Sequence, residues 1–257
     1  MATFQQYVTA RSLEEAYELN QKRSSVIVAG NMWLRLCGAK KQTAIDLSAL
    51  GLDRLEETDT EFVLGAMTTL RQLETSAALN DAFGGAFCQA VSPIVGTQFR
   101  NTATLGGSVY GRFGFSDVST LLLALGATVT LHHRGDVPLA QFQQEPWDRD
   151  IVTHIRVPKG QRASVQSVRL TATDFPVLVC AAAVGSNGLR LSVGARPMRA
   201  MVAAEGLAPG EAEQAIERIA KDLPLGTNLR ASEAYRRKIA PVLLRRAVRG
   251  CLTGEGE

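Results

Sequence analysis

The stretch Arg100-Asn101-Thr102-Ala103-Thr104-Leu105-Gly106-Gly107-Ser108 is the most informative part of the chain, and Ser116-Asp117 follows it at the start of an apolar run. Adjacent glycines allow the main chain to approach a ligand closely. Thr104 and Ser108 offer hydroxyl groups, and Asp117 offers a carboxylate that accepts hydrogen bonds from sugar hydroxyls. The alternatives are a simple bend at Gly106-Gly107 and a helix-dipole role for Asp117.

A second glycine-bearing loop, Val28-Ala29-Gly30-Asn31-Met32-Trp33-Leu34, follows an apolar run that predicts a buried strand over 25–29. Gly30 and Asn31 both tolerate positive φ, and successive N–H groups in such a turn form a nest for an anion such as phosphate. The loop contains neither GxGxxG nor GxxxxGK[ST], and an ordinary turn is the alternative. Taken together, the two loops favour a phosphate-containing ligand, but the residues alone do not name it.

Composition excludes several classes of protein. The 257 residues are 46% hydrophobic and 21% charged, with 28 Lys+Arg against 25 Asp+Glu and hence a net charge of +3. The chain is therefore not intrinsically disordered, and one large domain or two modest ones are expected. The balanced charge gives no expectation of nucleic-acid binding, and the basic last helix is interpreted as a solvated face. With no apolar stretch of about 18 residues and no basic-then-apolar leader, we expect no membrane span and a cytoplasmic protein.

The cysteines and histidines predict no metal site. The four cysteines are scattered, at Cys37, Cys88, Cys180 and Cys251. No CxxC pair occurs and no histidine lies near a cysteine at ligand spacing, so free thiols are expected rather than a metal or iron–sulfur site. His132 and His133 are adjacent beside a predicted turn, and His154 is the third histidine.

Periodicity and capping signals predict an α+β protein. The capping box Ser12–Glu15 predicts a helix over 13–22, which with strands at 25–29 and 43–47 makes a small α/β unit in the first 55 residues. Further expected elements are a hairpin at 55–66, helices at 69–75, 80–90 and 118–125, an aperiodic segment at 93–107, and strands at 128–132 and 151–157. Strands at 165–170, 177–184 and 189–193 precede helices at 209–221 and 232–250, with a boundary near 158–165.

Both loops resemble those of one known family. The stretch 100–108 with Ser116-Asp117 is similar to the RNxATxGGN…SD signature of the flavin-binding medium subunits of molybdenum hydroxylases, the family of xanthine, carbon monoxide and nicotinate dehydrogenases. The loop 28–34 resembles that family's first glycine loop. Phe4, the segment 64–69 and Tyr235-Arg236 also match its usual pattern, so the resemblance covers almost the whole chain.

The resemblance implies a fold and a domain plan. It implies an α+β chain with a two-subdomain FAD-binding fold of the vanillyl-alcohol-oxidase type over 1–160, divided into subdomains at about 1–55 and 56–160. A small α+β C-terminal domain over 161–257 would follow.

The resemblance also implies which residues bind FAD. The expected set is Ala29, Gly30, Asn31, Met32, Trp33, Ile94, Thr104, Gly106, Gly107, Ser108, Asp117, Val152 and Arg169, with no catalytic residue and no metal ligand. The chain departs from the family pattern at four positions. Met32 and Trp33 replace a common Thr and an acidic residue, Ser108 replaces the usual Asn, and Gly114 stands where Pro is common.

The implied function is electron relay. In such a complex a large subunit holds the molybdenum cofactor, a small subunit holds [2Fe-2S] clusters, and the flavin subunit passes electrons to NAD or another acceptor. Two alternatives stay open: a stand-alone FAD oxidoreductase of the same superfold, and a structural subunit that has lost FAD.

Overall fold

The computed structural model describes residues 1–38 and 40–254, and within that part of the chain it contains three β-sheets. The first sheet is parallel, in the order β1-β3-β2, with β1 at Thr3–Thr9, β2 at Ser25–Val28 and β3 at Lys40–Asp46. Helix α1, Leu13–Asn20, connects β1 to β2 and begins as predicted at Ser12, whose side chain accepts from the amide of Glu15. The Glu15 carboxylate in turn accepts from the amide of Arg11 rather than from that of Ser12.

The second sheet has five strands in the order β4-β5-β8-β6-β7 and is antiparallel throughout. Its strands are β4 Leu55–Glu57, β5 Glu61–Gly65, β6 Thr128–Leu131, β7 Gly135–Pro138 and β8 Val152–Pro158. The structure places the predicted hairpin at β4 and β5, and the strand predicted at 151–157 is the central β8. The pairs β4–β5 and β6–β7 are neighbours in sequence, and each is joined by a short turn, as antiparallel geometry allows.

The helices between β5 and β6 correct two sequence expectations. They are α2 Leu70–Thr75, α3 Ala77–Ala82, α4 Ala86–Val91, α5 Thr97–Arg100, α6 Leu105–Tyr110 and α7 Asp117–Ala124. The single helix predicted at 80–90 is wrong, because Gly84 and Gly85 adopt φ of 66° and 78° and separate α3 from α4. The segment 93–107 is not wholly irregular, since it contains α5 and the start of α6. Helix α7 begins at the predicted cap Ser116, and all of its residues are buried.

The third sheet and two helices complete the chain. Its antiparallel strands run in the order β12-β11-β10-β9, and α8, Leu139–Gln144, precedes it in the chain. The elements are β9 Arg162–Arg169, β10 Pro176–Gly185, β11 Gly188–Gly194, β12 Met201–Leu207, α9 Ala212–Asp222 and α10 Glu233–Thr253. Strands followed by helices were expected here, but β12 was not.

Alternate residues of β10 face two different cores, as strand geometry requires. Leu178, Cys180 and Ala182 pack with α9 and α10, while Val179 and Ala181 join the large core that contains α7. Helix α7 therefore packs against the third sheet, within the large core. We propose that the boundary between the FAD-binding domain and the C-terminal domain lies near residue 160.

The sequence predicted that the basic residues of the last helix form a solvated face, and this is wrong for one of them. Arg236 is fully buried, and its guanidinium donates to the carbonyls of Val177, Gly226 and Ala231 and to Oδ1 of Asn228. It ties α10 to the third sheet and to the segment before the helix. In the described part of the chain, no helix has the length and apolar content needed to cross a bilayer.

Candidate functional site

One large cleft, with a volume of about 590 Å³, contains every residue in the predicted cofactor set. Its wall includes Ala29, Gly30, Asn31, Met32, Trp33, Ile94, Thr104, Gly106, Gly107, Ser108, Asp117, Val152 and Arg169. These residues come from the loop after β2, the segment around α5–α7, and strands β8 and β9. Its size lies in the range typical of small-molecule and cofactor sites.

The first loop approaches the second one backbone to backbone. A Cβ placed on Gly30 would lie 1.8 Å from the carbonyl oxygen of Thr102, so only glycine fits between the two loops. Asn31 adopts a positive φ of 55°, as the sequence predicted. Within the described residues, the backbone amides of Gly30, Asn31 and Met32 have no hydrogen-bond acceptor, and Oδ1 of Asn31 is buried without a partner. The loop therefore presents unpaired polar groups beside the cleft.

The second loop uses its polar groups internally. Thr104 caps α6 by accepting from the amide of Gly107 at 3.2 Å, and the Ser108 hydroxyl donates to the Thr104 carbonyl at 3.0 Å. The amide of Gly106 donates to the carbonyl of Ala66 at 2.7 Å. A Cβ on Gly106 would lie 2.7 Å from Cβ of Ala66. Gly106 is therefore needed for packing against Ala66, the residue that follows β5, and it also lines the cleft.

Asp117 and Arg169 form an ion pair in the wall of the cleft, 2.7 Å apart and with both side chains more than nine-tenths buried. Burial raises the pKa of Asp117 to about 6, and the adjacent Arg169 opposes that rise. Arg169 also donates to the carbonyl of Asp174, while its Nε is buried without a partner. The two residues were predicted as separate cofactor contacts, and nothing in the sequence indicated that they pair.

An aromatic cluster surrounds Trp33 and was missed by sequence reasoning. The ring centroid of Trp33 lies 5.8 Å from that of Phe99, 6.1 Å from Phe113, 5.5 Å from Phe115 and 5.2 Å from Phe175. All five rings line the cleft. The replacement of an acidic residue by Trp33 was visible in sequence, but its partners come from three separate segments. This cluster makes the part of the cleft beside the first loop apolar.

Gly114, another departure from the family pattern, has a packing reason. A Cβ at this position would lie 2.5 Å from the carbonyl oxygen of Met198, and the Gly114 carbonyl accepts from the amide of Ala195 at 2.6 Å. The larger ring of proline has no room here. Met32, in contrast, packs its side chain against the large core.

The cleft occurs in a chain with recognisable relatives. The sequence profile described as "FAD binding domain in molybdopterin dehydrogenase" matches residues 2–160. The chain belongs to this family. Its cofactor is FAD, and the chain is a flavoprotein component of an oxidoreductase. The predicted family and α+β fold are confirmed.

Solved structures of molybdenum hydroxylases share the fold over the whole chain. A Cu,Mo-CO dehydrogenase in its cyanide-inactivated form gives a TM-score of 0.88 at 22% identity, covering 99% of this chain and 100% of that one. Carbon monoxide dehydrogenase from Hydrogenophaga pseudoflava gives 0.85 at 21%, covering 100% of both chains. Quinoline 2-oxidoreductase from Pseudomonas putida 86 gives 0.84 at 18%, covering 98% of both. No curated protein matches the chain significantly.

The residues present fit the FAD of this family. The unpaired amides of the first loop are the donors that a pyrophosphate needs, and the buried, unpartnered Nε of Arg169 is a further cationic donor. The apolar surface of Ile94, Val152 and the Trp33 cluster suits a large aromatic ring. The replacements at Met32 and Trp33 remove side-chain polar groups but leave the backbone donors in place.

Proposed function

We propose that this chain is the FAD-binding subunit of a molybdenum hydroxylase complex and relays electrons from [2Fe-2S] clusters on a small subunit to NAD or another acceptor. A large subunit with the molybdenum cofactor would hydroxylate the substrate. The observation that carries the proposal is the cleft itself, which is lined both by the unpaired amides of the first glycine loop and by the buried Asp117–Arg169 pair.

In this proposal the chain binds and orients the cofactor. The amides of Gly30, Asn31 and Met32 would hold the pyrophosphate, and α6 and α7 would form the opposite wall with Thr104, Ser108 and Asp117. When bound, FAD supplies an isoalloxazine ring that accepts and passes on electrons. The apolar walls would exclude water from the ring and so influence its reduction potential.

The proposal requires no general base or nucleophile on this chain. The cleft's titratable residues include the Asp117–Arg169 pair, which is already neutralised internally, and Asp150, whose carboxylate accepts from three backbone amides, at His133, Arg134 and Ile151. The relay needs neither carboxylate as a base, whereas a stand-alone oxidoreductase would need an acid–base residue near its flavin.

Purification of the tagged full chain from its own cells tests the proposal. We expect a complex that contains molybdenum, iron and one FAD per copy of this chain, and that delivers electrons to NAD or a dye once reduced. A matched pair of variants, Gly30→Ala and Gly210→Ala, separates cofactor from assembly, because a Cβ fits freely at Gly210. Gly30→Ala should lose FAD and electron delivery while keeping its partners.

The alternatives predict different results. A chain that purifies alone, holds FAD and oxidises a substrate by itself would be a stand-alone enzyme. A complex with molybdenum and iron but no FAD on this chain would make it a structural subunit. Either result contradicts the relay.

A further inference from the structure

Two adjacent histidines and a distant carboxylate meet on the surface between the first and second sheets. Glu14 lies in the first turn of α1, and His132 and His133 directly follow β6. Oε2 of Glu14 is 3.1 Å from Nε2 of His132 and 3.4 Å from Nε2 of His133, and the three atoms lie within 4.8 Å of one another. No metal site was predicted from the sequence, because ligand motifs are recognised among residues close together in the chain. Glu14 is 118 residues from His132.

The spacing of these atoms suits a first-row metal ion. Bonds of about 2.0–2.1 Å in a tetrahedron place neighbouring ligand atoms roughly 3.3 Å apart. The two nitrogen–oxygen distances fall on either side of that value. Two imidazole nitrogens and one carboxylate oxygen are ligands that zinc, nickel and copper prefer, whereas magnesium and calcium favour oxygen alone.

The protein holds the two histidines in place. The amide of His132 donates to the carbonyl of Ile151 at 2.9 Å, and the amide of His133 donates to the carboxylate of Asp150 at 3.1 Å. The ring of Tyr17 stacks on that of His133 with centroids 3.7 Å apart and an interplanar angle of 24°. Because these contacts hold the two histidines beforehand, metal binding costs less conformational entropy than it would with mobile ligands.

The surrounding charge also favours a cation. Asp150 is 5% exposed and places a second carboxylate beside the backbone of the histidine turn. The nearest basic side chain in sequence, Arg134, is paired with Glu145 and Asp148 instead. The cation would therefore have the Glu14 carboxylate as a ligand, with the Asp150 carboxylate bound to the backbone of the same histidine turn.

We propose that Glu14, His132 and His133 bind one divalent transition-metal ion of the zinc type, with water in the fourth position. The ion joins α1, which leads into the strand before the first loop, to the β6–β7 turn of the second sheet. It thus fastens together the two parts of the chain whose loops meet at Gly30 and Thr102. None of the three ligands lines the FAD cleft, although Asp150 borders both sites, and the proposal does not depend on the electron relay.

Calorimetric titration of the metal-stripped full chain with Zn²⁺ tests the proposal. The exposed thiols Cys37 and Cys88 are first changed to serine, so that they cannot compete for the ion. We expect each chain to bind one Zn²⁺ ion. A free Zn²⁺ concentration one hundred times Kd should raise Tm by about 5–10 °C. His133→Ala and Glu14→Gln should each weaken Zn²⁺ binding at least tenfold. The matched control His154→Ala should bind Zn²⁺ as the parent does. A titration with Mg²⁺ should show no binding.

Electron paramagnetic resonance with Cu²⁺ gives a readout that does not depend on folding stability. Nitrogen hyperfine splitting from two imidazoles is expected in the parent chain and from one imidazole in His133→Ala. The proposal is overturned if Zn²⁺ shows no saturable binding below about 100 μM, as for a simple histidine–carboxylate ion pair. It is equally overturned if His133→Ala leaves affinity and nitrogen count unchanged.

Discussion

Replacing Gly30 by alanine should abolish tight FAD binding through one local clash. The added Cβ would lie 1.8 Å from the Thr102 carbonyl oxygen, so the two loops must separate by about 1.6 Å to restore an ordinary 3.4 Å contact. A shift of that size exceeds the 0.5 Å range of productive N–H···O distances. If two amide–phosphate bonds are lost at about 1.5 kcal/mol each, the loss is about 3 kcal/mol and Kd rises roughly 100-fold or more.

The assay is a titration of the folded apoprotein with FAD, followed by flavin absorbance and by quenching of tryptophan fluorescence. Gly107→Ala is a graded control, since its Cβ meets only Oγ1 of Thr104 at 3.1 Å, and Gly210→Ala is a control in open space. The expected order of Kd is Gly30→Ala far above Gly107→Ala, with Gly210→Ala equal to the parent. Far-UV circular dichroism establishes that each variant is folded. A folded Gly30→Ala chain that binds FAD within threefold of the parent would refute the reasoning.

Three further predictions concern stability and reactivity. The pKa of Asp117 is raised in the folded chain from 3.8 to about 6, so the folded state binds this proton more readily and the free energy of unfolding should fall by about 2 kcal/mol as pH rises from 4 to 7. Urea unfolding should show that Asp117→Asn lacks this component, and identical pH profiles would contradict the account. Arg236→Met leaves several buried carbonyls unpaired and should cost about 3 kcal/mol, or about 6–12 °C in Tm by calorimetry, whereas the exposed Arg246→Met on the same helix should change Tm little. Both Cys37 and Cys88 are exposed, but only Cys37 lines the cleft, so bound FAD should slow alkylation of Cys37 several-fold by mass spectrometry and leave Cys88 unaffected; equal rates at Cys37 with and without FAD would place the cofactor elsewhere.

The parts of the fold that the sequence predicted are those with local signals. The caps at Ser12, Thr69 and Ser116 begin α1, α2 and α7 because each side chain satisfies an amide three residues ahead. The glycine loops were located because Gly30 and Asn31 have conformations or contacts that few other residues tolerate. These are properties of a short segment and need no knowledge of the rest of the molecule.

The misses have tertiary causes. Strand β1 is an edge strand with mostly exposed side chains, so its polar sequence carries no strand-like alternation. The break between α3 and α4 is caused by Gly84 and Gly85, which the sequence prediction included in a single helix. Within the site, the Asp117–Arg169 pair and the partners of Trp33 join segments far apart in the chain, and periodicity contains no information about such contacts.

The flavin content of the purified chain tests the central claim most directly. The account predicts a yellow protein that releases one FAD per chain on heating, and an apoprotein that regains the flavin spectrum when FAD is added. A colourless chain that gives no difference spectrum with added FAD, while remaining folded by circular dichroism, would contradict it.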